Sequence, residues 1–400
     1  MRERRILALF GGAVLFGQER GNIEALVALK QGGGEVLCLV RDEPWAVHIP
    51  PALDARGLAW VKVPYIEHRM PGRLAALIFR NPLAFAIANA RFLEIARRFR
   101  PTHIHAFNPL YVLNFLAALS LVRAPMVYRA GDEPTVHNPV WRLLWRFVLA
   151  RTDRFVANSK FVARSLVRSG AKPQQIEVIY NLPPARRATG APALAYDPGR
   201  IFYAGQVSEH KGVHVLLDAF RRVAAEFPHA SLVIAGRISD WSGDAWGRAL
   251  REATLADPLI GRRVQFLGET PEVPAWLAHS AVHAAPSLFE DPAPNVVVEA
   301  KAAGCPSIVF PRGGMPELVR HGVDGWVCPE ASATALAEAL RCYLADPAMA
   351  RRQGAAAREG LKELGRDQFA QRWAEVYAAA ARARVRPGQE ERGISLPAAP

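Results

Sequence analysis

The chain has 400 residues, half of them hydrophobic, with 50 Lys and Arg against 37 Asp and Glu for a net charge of +13. That is more apolar material than one compact domain usually holds, so two domains are expected and a small stapled scaffold is excluded. The cysteines, Cys38, Cys305, Cys328 and Cys342, lack C-x-x-C or Cys/His spacing, which excludes a zinc finger or disulfide framework and fits a reducing cytoplasm.

The apolar run from Ile6 to Phe16 is short, contains Gly11 and Gly12, and leads into GQER rather than a cleavage site. It reads as a buried strand and a glycine-rich turn, not a signal peptide. Apolar runs then alternate with amphipathic helical stretches: RRILALF, the helix NIEALVALKQ ending at Gly32, EVLCLV, THIHAF, APMVYRA and DRFVANS. This alternation predicts a parallel α/β domain. Residues 183–199, PPARRATGAPALAYDPG, have no periodicity and read as a linker. Beyond them RIFYAGQ, the helix VHVLLDAFRRVAAEF, SLVIAGR, RVQFLGE, VHAAPS, PSIVFP and GWVCP predict a second α/β domain. Two such domains define a cleft beyond the carboxyl ends of their strands. The last residues, PGQEERGISLPAAP, read as a disordered tail. No stretch reaches the ~20 apolar residues of a membrane span.

Charge is uneven. Residues 1–185 carry 25 basic and 13 acidic side chains, and residues 186–400 carry 25 and 24. A basic first half attracts anionic surfaces or acidic small molecules. Nucleic acid is not the expected partner, because zinc-finger spacing, RNA-recognition aromatics and basic heptad helices are all missing. Residues 71–100 and 138–154 interleave arginine with Phe, Trp and Leu. Two readings stand for them: docking on an anionic bilayer, or ordinary amphipathic helices packed on a sheet.

Residues 286–310, PSLFEDPAPNVVVEAKAAGCPSIVF, carry the densest chemistry. Glu290 and Asp291 precede a helix start, Pro294 suits its first turn and Gly304 its end. The free amides and positive end of such a helix bind a diphosphate, and carboxylates such as Glu299 accept hydrogen bonds from sugar and ribose hydroxyls. The plainer reading makes Asp291 an N-cap and Glu299 a solvated helix residue. Lys211, in the His-Lys-Gly turn of GRIFYAGQVSEHKGVHVLLDAF, is placed to neutralise a phosphate as a glycosyl bond breaks, or is simply a solvated turn lysine.

Taken in order, AGQVSEHKG, LVIAG, FLG, PS, the Asp291 and Glu299 pair, AKAAGCPS and GGMPE resemble the motifs of glycosyltransferase family 4. FGQER, residues 16–20, resembles that family's first-domain G-G-A-E-R turn, and residues 151–181 resemble the stretch that closes its first domain. The resemblance covers about residues 6 to 385. It implies the α/β GT-B fold, two Rossmann-like domains with parallel sheets facing across a cleft. It implies an acceptor-binding domain at 1–185, a nucleotide-sugar domain at 186–366, and a helix at 367–386 crossing back onto the first domain before a tail at 387–400.

The implied activity is retaining transfer of a sugar from a UDP- or GDP-sugar to a carbohydrate or lipid-linked acceptor, as in bacterial surface polysaccharide synthesis. The implied setting is cytoplasmic, peripheral on the inner membrane face. Glu299 matches the glutamate that holds the ribose, Asp291 the spacing of the sugar-binding glutamate with Glu290 as the alternative, and Lys211 the phosphate-binding lysine. Gly17 belongs to the turn that approaches the donor phosphates. Three positions depart from the family pattern. Gln206 stands where an arginine is usual, the first acidic position holds an aspartate, and Pro294 replaces a glycine. Without the Pro294 N–H, the amides of Asn295 and Val296 are left to cradle phosphate. Arg237 is a possible substitute for the missing arginine.

For proton handling the candidates are Asp132 first, then Glu133, His137, His103 and His105, with a capping role as the alternative for Asp132. The family reaction lets the leaving phosphate oxygen take the acceptor proton, so a dedicated base is not required. No metal or other cofactor is expected, since no D-x-D pair or His cluster is present. A second function is also carried, that of a catalytically weak protein binding a sugar nucleotide or glycan as partner of another transferase. A dehydrogenase is excluded because FGGAVLFGQERG lacks the G-x-G-x-x-G spacing.

Overall fold

A computed structural model describes residues 4–12, 14–44, 46–65, 82–134, 136, 139–183, 194–238, 244–362 and 365–384. His137, residues 71–81 of the arginine-rich stretch, most of the proposed linker and the proposed tail lie outside them. The chain divides into two units. The first takes residues up to Ala157, Ala163–Ile179 and the chain from Phe369 onward; the second takes Asn158–Val162 and Tyr180–Gln368.

The first unit holds seven parallel strands: β1 Arg5–Phe10, β2 Glu35–Arg41, β3 Ala59–Val63, β4 His103–Ala106, β5 Met126–Ala130, β6 Arg154–Ala157 and β7 Ile176–Val178. Their order is β3-β2-β1-β4-β5-β6-β7. Central strands read as unbroken apolar runs because helices cover both faces of a parallel sheet. Residues Ile6 to Phe10 are accordingly fully buried. The chain runs outward from β1 to β3 and then returns to β4 beside β1. The carboxyl ends of β1 and β4 are therefore a topological switch point, where a crevice opens.

The helices around this sheet include α1 Gly17–Gln31, α2 Ile49–Asp54, α3 Pro82–Phe99, α4 Pro109–Asn114, α5 Leu116–Leu121, α6 Pro139–Arg151 and α7 Lys160–Arg168. The sequence expects α1 to start near Asn22 and treats GQER as a turn; the helix starts at Gly17 instead. Glu19 accepts a hydrogen bond from the Phe16 amide, 3.2 Å away, the return half of a capping box. Arg20 N–H donates to the Phe16 carbonyl, so the supposed turn is the first helical turn.

The second unit repeats the plan with six parallel strands: β8 Asp197–Ala204, β9 Ser231–Ala235, β10 Val264–Gly268, β11 Ser280–Ala285, β12 Ser307–Val309 and β13 Gly325–Val327. The order β10-β9-β8-β11-β12-β13 puts its switch point between β8 and β11. Residues 197–199, read from sequence as linker, are the first residues of β8. Its helices are α8 Val213–Ala224, α9 Ala245–Ala256, α10 Val273–Ala278, α11 Asn295–Ala303, α12 Ala333–Ala345 and α13 Pro347–Lys362. Val213, Leu216, Leu217, Phe220, Val223 and Ala224 form the buried stripe of α8 at i, i+3, i+4, i+7 spacing.

The last helix, α14 Arg366–Arg384, belongs from Phe369 on to the first unit. It buries Phe369, Trp373, Val376, Tyr377 and Ala380. Its Tyr377 hydroxyl lies 2.7 Å from His105 Nδ1, and the Tyr377 carbonyl 2.9 Å from His103 Nε2. His105 Nε2 faces Asn22 Oδ1 at 2.8 Å, while the Asn22 amide donates to the Gln18 carbonyl. His105 therefore carries its proton on Nε2 and accepts from Tyr377. Both histidines are committed to packing α14. Burial pushes the His105 imidazole down to about 3, with the nearby Arg129 adding to the shift. These histidines are structural, not proton carriers for catalysis.

Candidate active site

In the second unit the switch point brings together residues far apart in sequence. Lys211 leaves the short turn after β8, and Asp291 lies in the loop after β11. Lys211 Nζ donates to Asp291 Oδ2 at 2.7 Å, and Ser287 Oγ approaches the same oxygen at 3.4 Å. The Asp291 side chain is 7% exposed and the Lys211 side chain 24%. Lys211 Nζ also stands 4.6 Å from the centre of the Phe289 ring, a cation–π contact that orients the ammonium. Tyr203 fixes the β8 turn from below, its hydroxyl donating to the Gln206 carbonyl at 2.6 Å.

Glycines let the backbones approach. Gly212 has φ 70°, and a Cβ there would lie 1.9 Å from the Pro286 carbonyl oxygen. Gly313 has φ 57°, and its Cβ would lie 2.2 Å from the Asp291 carbonyl oxygen. Gly314 N–H donates to that carbonyl at 2.8 Å. The Asp291 loop is thus clamped between the Lys211 turn and the GGMPE segment.

The two acidic neighbours divide. Glu290 is exposed and satisfied by Arg312 Nη1 at 3.2 Å and the Gly313 amide, while Asp291 is buried against Lys211. Asp291 is not a helix cap, because Pro294 occupies the N-cap of α11 and Asn295 is its first residue. The sequence places Pro294 in the first turn; it stands one place before it, at the N-cap. Asn295 and Val296 present the first backbone amides of α11, and Val297 N–H already donates to the Pro294 carbonyl at 3.1 Å. Glu299 lies one turn further on, half-buried. Such a helix end offers amides and a positive dipole to an anion. Gln206 is half-buried in the turn after β8. Arg237 is exposed, its nearest carboxylate Glu269 being 3.9 Å away.

In the first unit Gly17 opens α1 at the switch point. Asp132 follows β5 and is exposed. It does not cap α6, which starts seven residues later at Pro139. Asp132 belongs to a charged group that sequence reasoning missed. Glu19 is only 6% exposed, and burial lifts its carboxyl above the usual range. Hydrogen bonds from its own amide and that of Phe16 oppose the shift; Asp132 adds to it and Arg129 opposes it. Arg129, 2% exposed on β5, is pushed down to about 10 by burial, with Asp132 and Glu19 holding it up. Glu133 pairs instead with Arg168 at 2.9 Å. Among the described residues no group of three or more His, Cys, Asp or Glu side chains is arranged to hold a metal ion, and no helix is long and apolar enough to cross a membrane.

Residues 17–182 match the model described as Glycosyltransferase Family 4, and residues 198–346 that described as Glycosyl transferases group 1. Glycogen synthase of Mycobacterium tuberculosis is 28% identical over 307 residues, 73% of this chain and 72% of that protein. A D-inositol 3-phosphate glycosyltransferase of Streptomyces bingchenggensis is 29% identical over 267 residues, 63% of this chain and 58% of that protein. Among solved structures, Anabaena HepE in complex with UDP superposes with a TM-score of 0.75 at 19% identity, over 94% of this chain and 100% of that one. The same protein in complex with UDP-glucose gives a TM-score of 0.73 at 19% identity, over 94% and 99%. Between them the two family models cover more than half of the chain, with the motifs in order on two Rossmann-like sheets: the chain belongs to the group 1, family 4 glycosyltransferases and is a hexosyltransferase of GT-B fold.

Proposed function

We propose that this enzyme takes a hexose from a UDP- or GDP-sugar and transfers it, with retention of configuration, to a carbohydrate or lipid-linked acceptor in bacterial surface polysaccharide synthesis. The observation that carries the donor assignment is the Lys211–Asp291 pair of 2.7 Å at the β8/β11 switch point, with the first amides of α11 a few residues further along the same loop. The UDP and UDP-glucose complexes of HepE support a uridine nucleotide as the first donor to try.

In this reading Asn295 N–H, Val296 N–H and Lys211 receive the diphosphate, and Glu299 accepts from the ribose hydroxyls. Asp291 accepts from a sugar hydroxyl while holding Lys211 in place. Charge growing on the leaving β-phosphate is met by the lysine and the helix dipole without a metal. Gly17, at the start of α1, is the first-unit position assigned to donor phosphate. Asp132, or the leaving phosphate oxygen itself, takes the acceptor proton. A panel of UDP-, GDP- and ADP-sugars in the presence of a chelator is expected to show turnover of one class. Absence of turnover with all of them, with and without acceptor glycans, would contradict the assignment.

A second reading, a catalytically weak protein that binds sugar nucleotide for a partner transferase, is favoured by one observation. Half-buried Gln206 stands where the family places an arginine, and Arg237 is exposed, 3.9 Å from Glu269. Tight donor binding by calorimetry without turnover would select it.

For the lipid-linked acceptor the support is a set of exposed apolar side chains on first-unit helices. Leu83 and Ile87 on α3, Leu121 on α5, and Val140 and Leu143 on α6 are 43–70% exposed, with Arg91, Arg142 and Arg146 on the same helices. The tryptophans of the α6 stretch, Trp141 and Trp145, are buried instead. In this reading these helices rest on the anionic inner membrane face. Sedimentation with phosphatidylglycerol vesicles is expected to carry the protein down and phosphatidylcholine vesicles to leave it in solution; equal partition would remove the membrane from the account.

A further inference from the structure

Glu317 ends the GGMPE segment and has no role in the donor reading, yet its carboxylate is the best-satisfied acid near that site. Oε2 accepts from the Lys160 amide at 2.7 Å and from the Tyr180 hydroxyl at 3.0 Å, and Oε1 accepts from the Phe161 amide at 2.7 Å. Those donors lie in the two short segments by which the chain enters the second unit, Asn158–Val162 and the stretch starting at Tyr180. One side chain therefore bonds to both places where the chain enters the second unit. The first of them is the N-terminus of α7, whose orphan amides need acceptors: Ser159 Oγ accepts from Val162 N–H at 3.2 Å, and Glu317 from the two amides before it.

The same segment reaches the donor site on both flanks. Gly314 N–H holds the Asp291 carbonyl at 2.8 Å, and a Cβ at Gly314 would sit 1.9 Å from the Pro292 carbonyl oxygen and 2.9 Å from Ser159 Cβ. Next to Tyr180, the buried Asn181 donates through Nδ2 to Asn295 Oδ1 at 2.6 Å. Asn295 is the first residue of α11.

We infer that Glu317 is a positioning residue: it ties both chain crossings to the GGMPE segment and, through Tyr180–Asn181, fixes the first turn of α11. Any displacement carried along these crossings then arrives at the proposed diphosphate cradle. The link to catalysis rests on the donor-site reading; the mechanical coupling does not.

Hydrogen–deuterium exchange of the full chain without nucleotide tests the coupling. Glu317→Gln keeps the size but offers one acceptor oxygen in place of two, and points an N–H₂ at a donor. It is expected to speed exchange of the Lys160 and Phe161 amides about tenfold or more, and to speed exchange of Val298–Lys301 in α11 with them, leaving α8 unchanged. Asn181→Ala is expected to loosen α11 alone. Faster exchange at 160–161 with α11 as in the wild type would overturn the inference, as would equal loosening of α8 and α11. Should Glu317→Gln fail to fold, Tyr180→Phe keeps the carboxylate and removes one donor. A few-fold faster exchange in α11 is then expected, and no change there overturns the coupling. Because exchange is read without ligand, a chain that turns over no sugar nucleotide would defeat the donor reading and leave this result standing.

Discussion

Lys211→Ala is expected to lower turnover of the donor about 100- to 1000-fold, the usual cost of removing one preorganised group that meets transition-state charge. The variant has a second consequence that must be separated from the first. Asp291 is nearly buried, and without the ammonium it is left with Ser287 Oγ at 3.4 Å. A buried acid stripped of its partner costs about 3 kcal/mol of stability. The double variant Lys211→Ala/Asp291→Asn removes that unpaired charge and is expected to recover most of the lost urea midpoint while staying as slow as the single variant. Recovery of turnover along with stability would mean that the lysine serves the fold and not the leaving group.

Acid is expected to unfold the ligand-free protein well before its carboxylates are all protonated. His105 and His283 are fully buried. Burial pushes both imidazoles down to about 3, and it lowers His103 too, against the hydrogen bond to the Tyr377 carbonyl. A folded pKa below the unfolded one fixes the sign. Above the unfolded value of about 6.5 neither state is protonated and stability is whole. Below it the unfolded chain takes up protons that the folded chain refuses, so stability falls continuously toward the folded value. Each such histidine contributes a loss of about 1.4 kcal/mol per pH unit. His283 adds a further cost, since its Nε2 has no hydrogen-bond partner among the described residues and only Nδ1 meets Ser307 Oγ, at 3.0 Å. Urea midpoints measured from pH 7.5 to 5.0 are expected to fall steeply below 6.5, and His105→Gln and His283→Leu each to remove one histidine's share of the slope. A flat profile would show that these rings are reached by water in the folded state.

The strands of both sheets were readable because parallel strands covered on two faces must be apolar along their length, as in RILALF and SAVHAA. β3, AWVKV, escaped because it is an edge strand with exposed Ala59 and Lys62, and β7 because three residues give no pattern. The order of motifs made Lys211, Asp291 and Glu299 candidates. That Lys211 meets Asp291 and not Glu290 was not readable, since the pairing crosses 80 positions and depends on which loop residue the two glycines of GGMPE clamp from beneath. Glu19 was hidden for a different reason. GQER looks like a turn by composition, and only its helical geometry turns the carboxylate inward toward Arg129. His103 and His105 sit at a strand end where catalysts are common, but the residue that claims them, Tyr377, lies 272 to 274 positions away.

The central claim is that the helix end at Asn295, with Lys211, Asp291 and Glu299, is the donor site. A crystal structure of the protein with UDP tests it most directly. The diphosphate is expected against the amides of Asn295 and Val296 and within reach of Lys211 Nζ, with the ribose hydroxyls on Glu299. UDP bound elsewhere on the second unit, or a diphosphate that leaves Lys211 and α11 untouched, would contradict it.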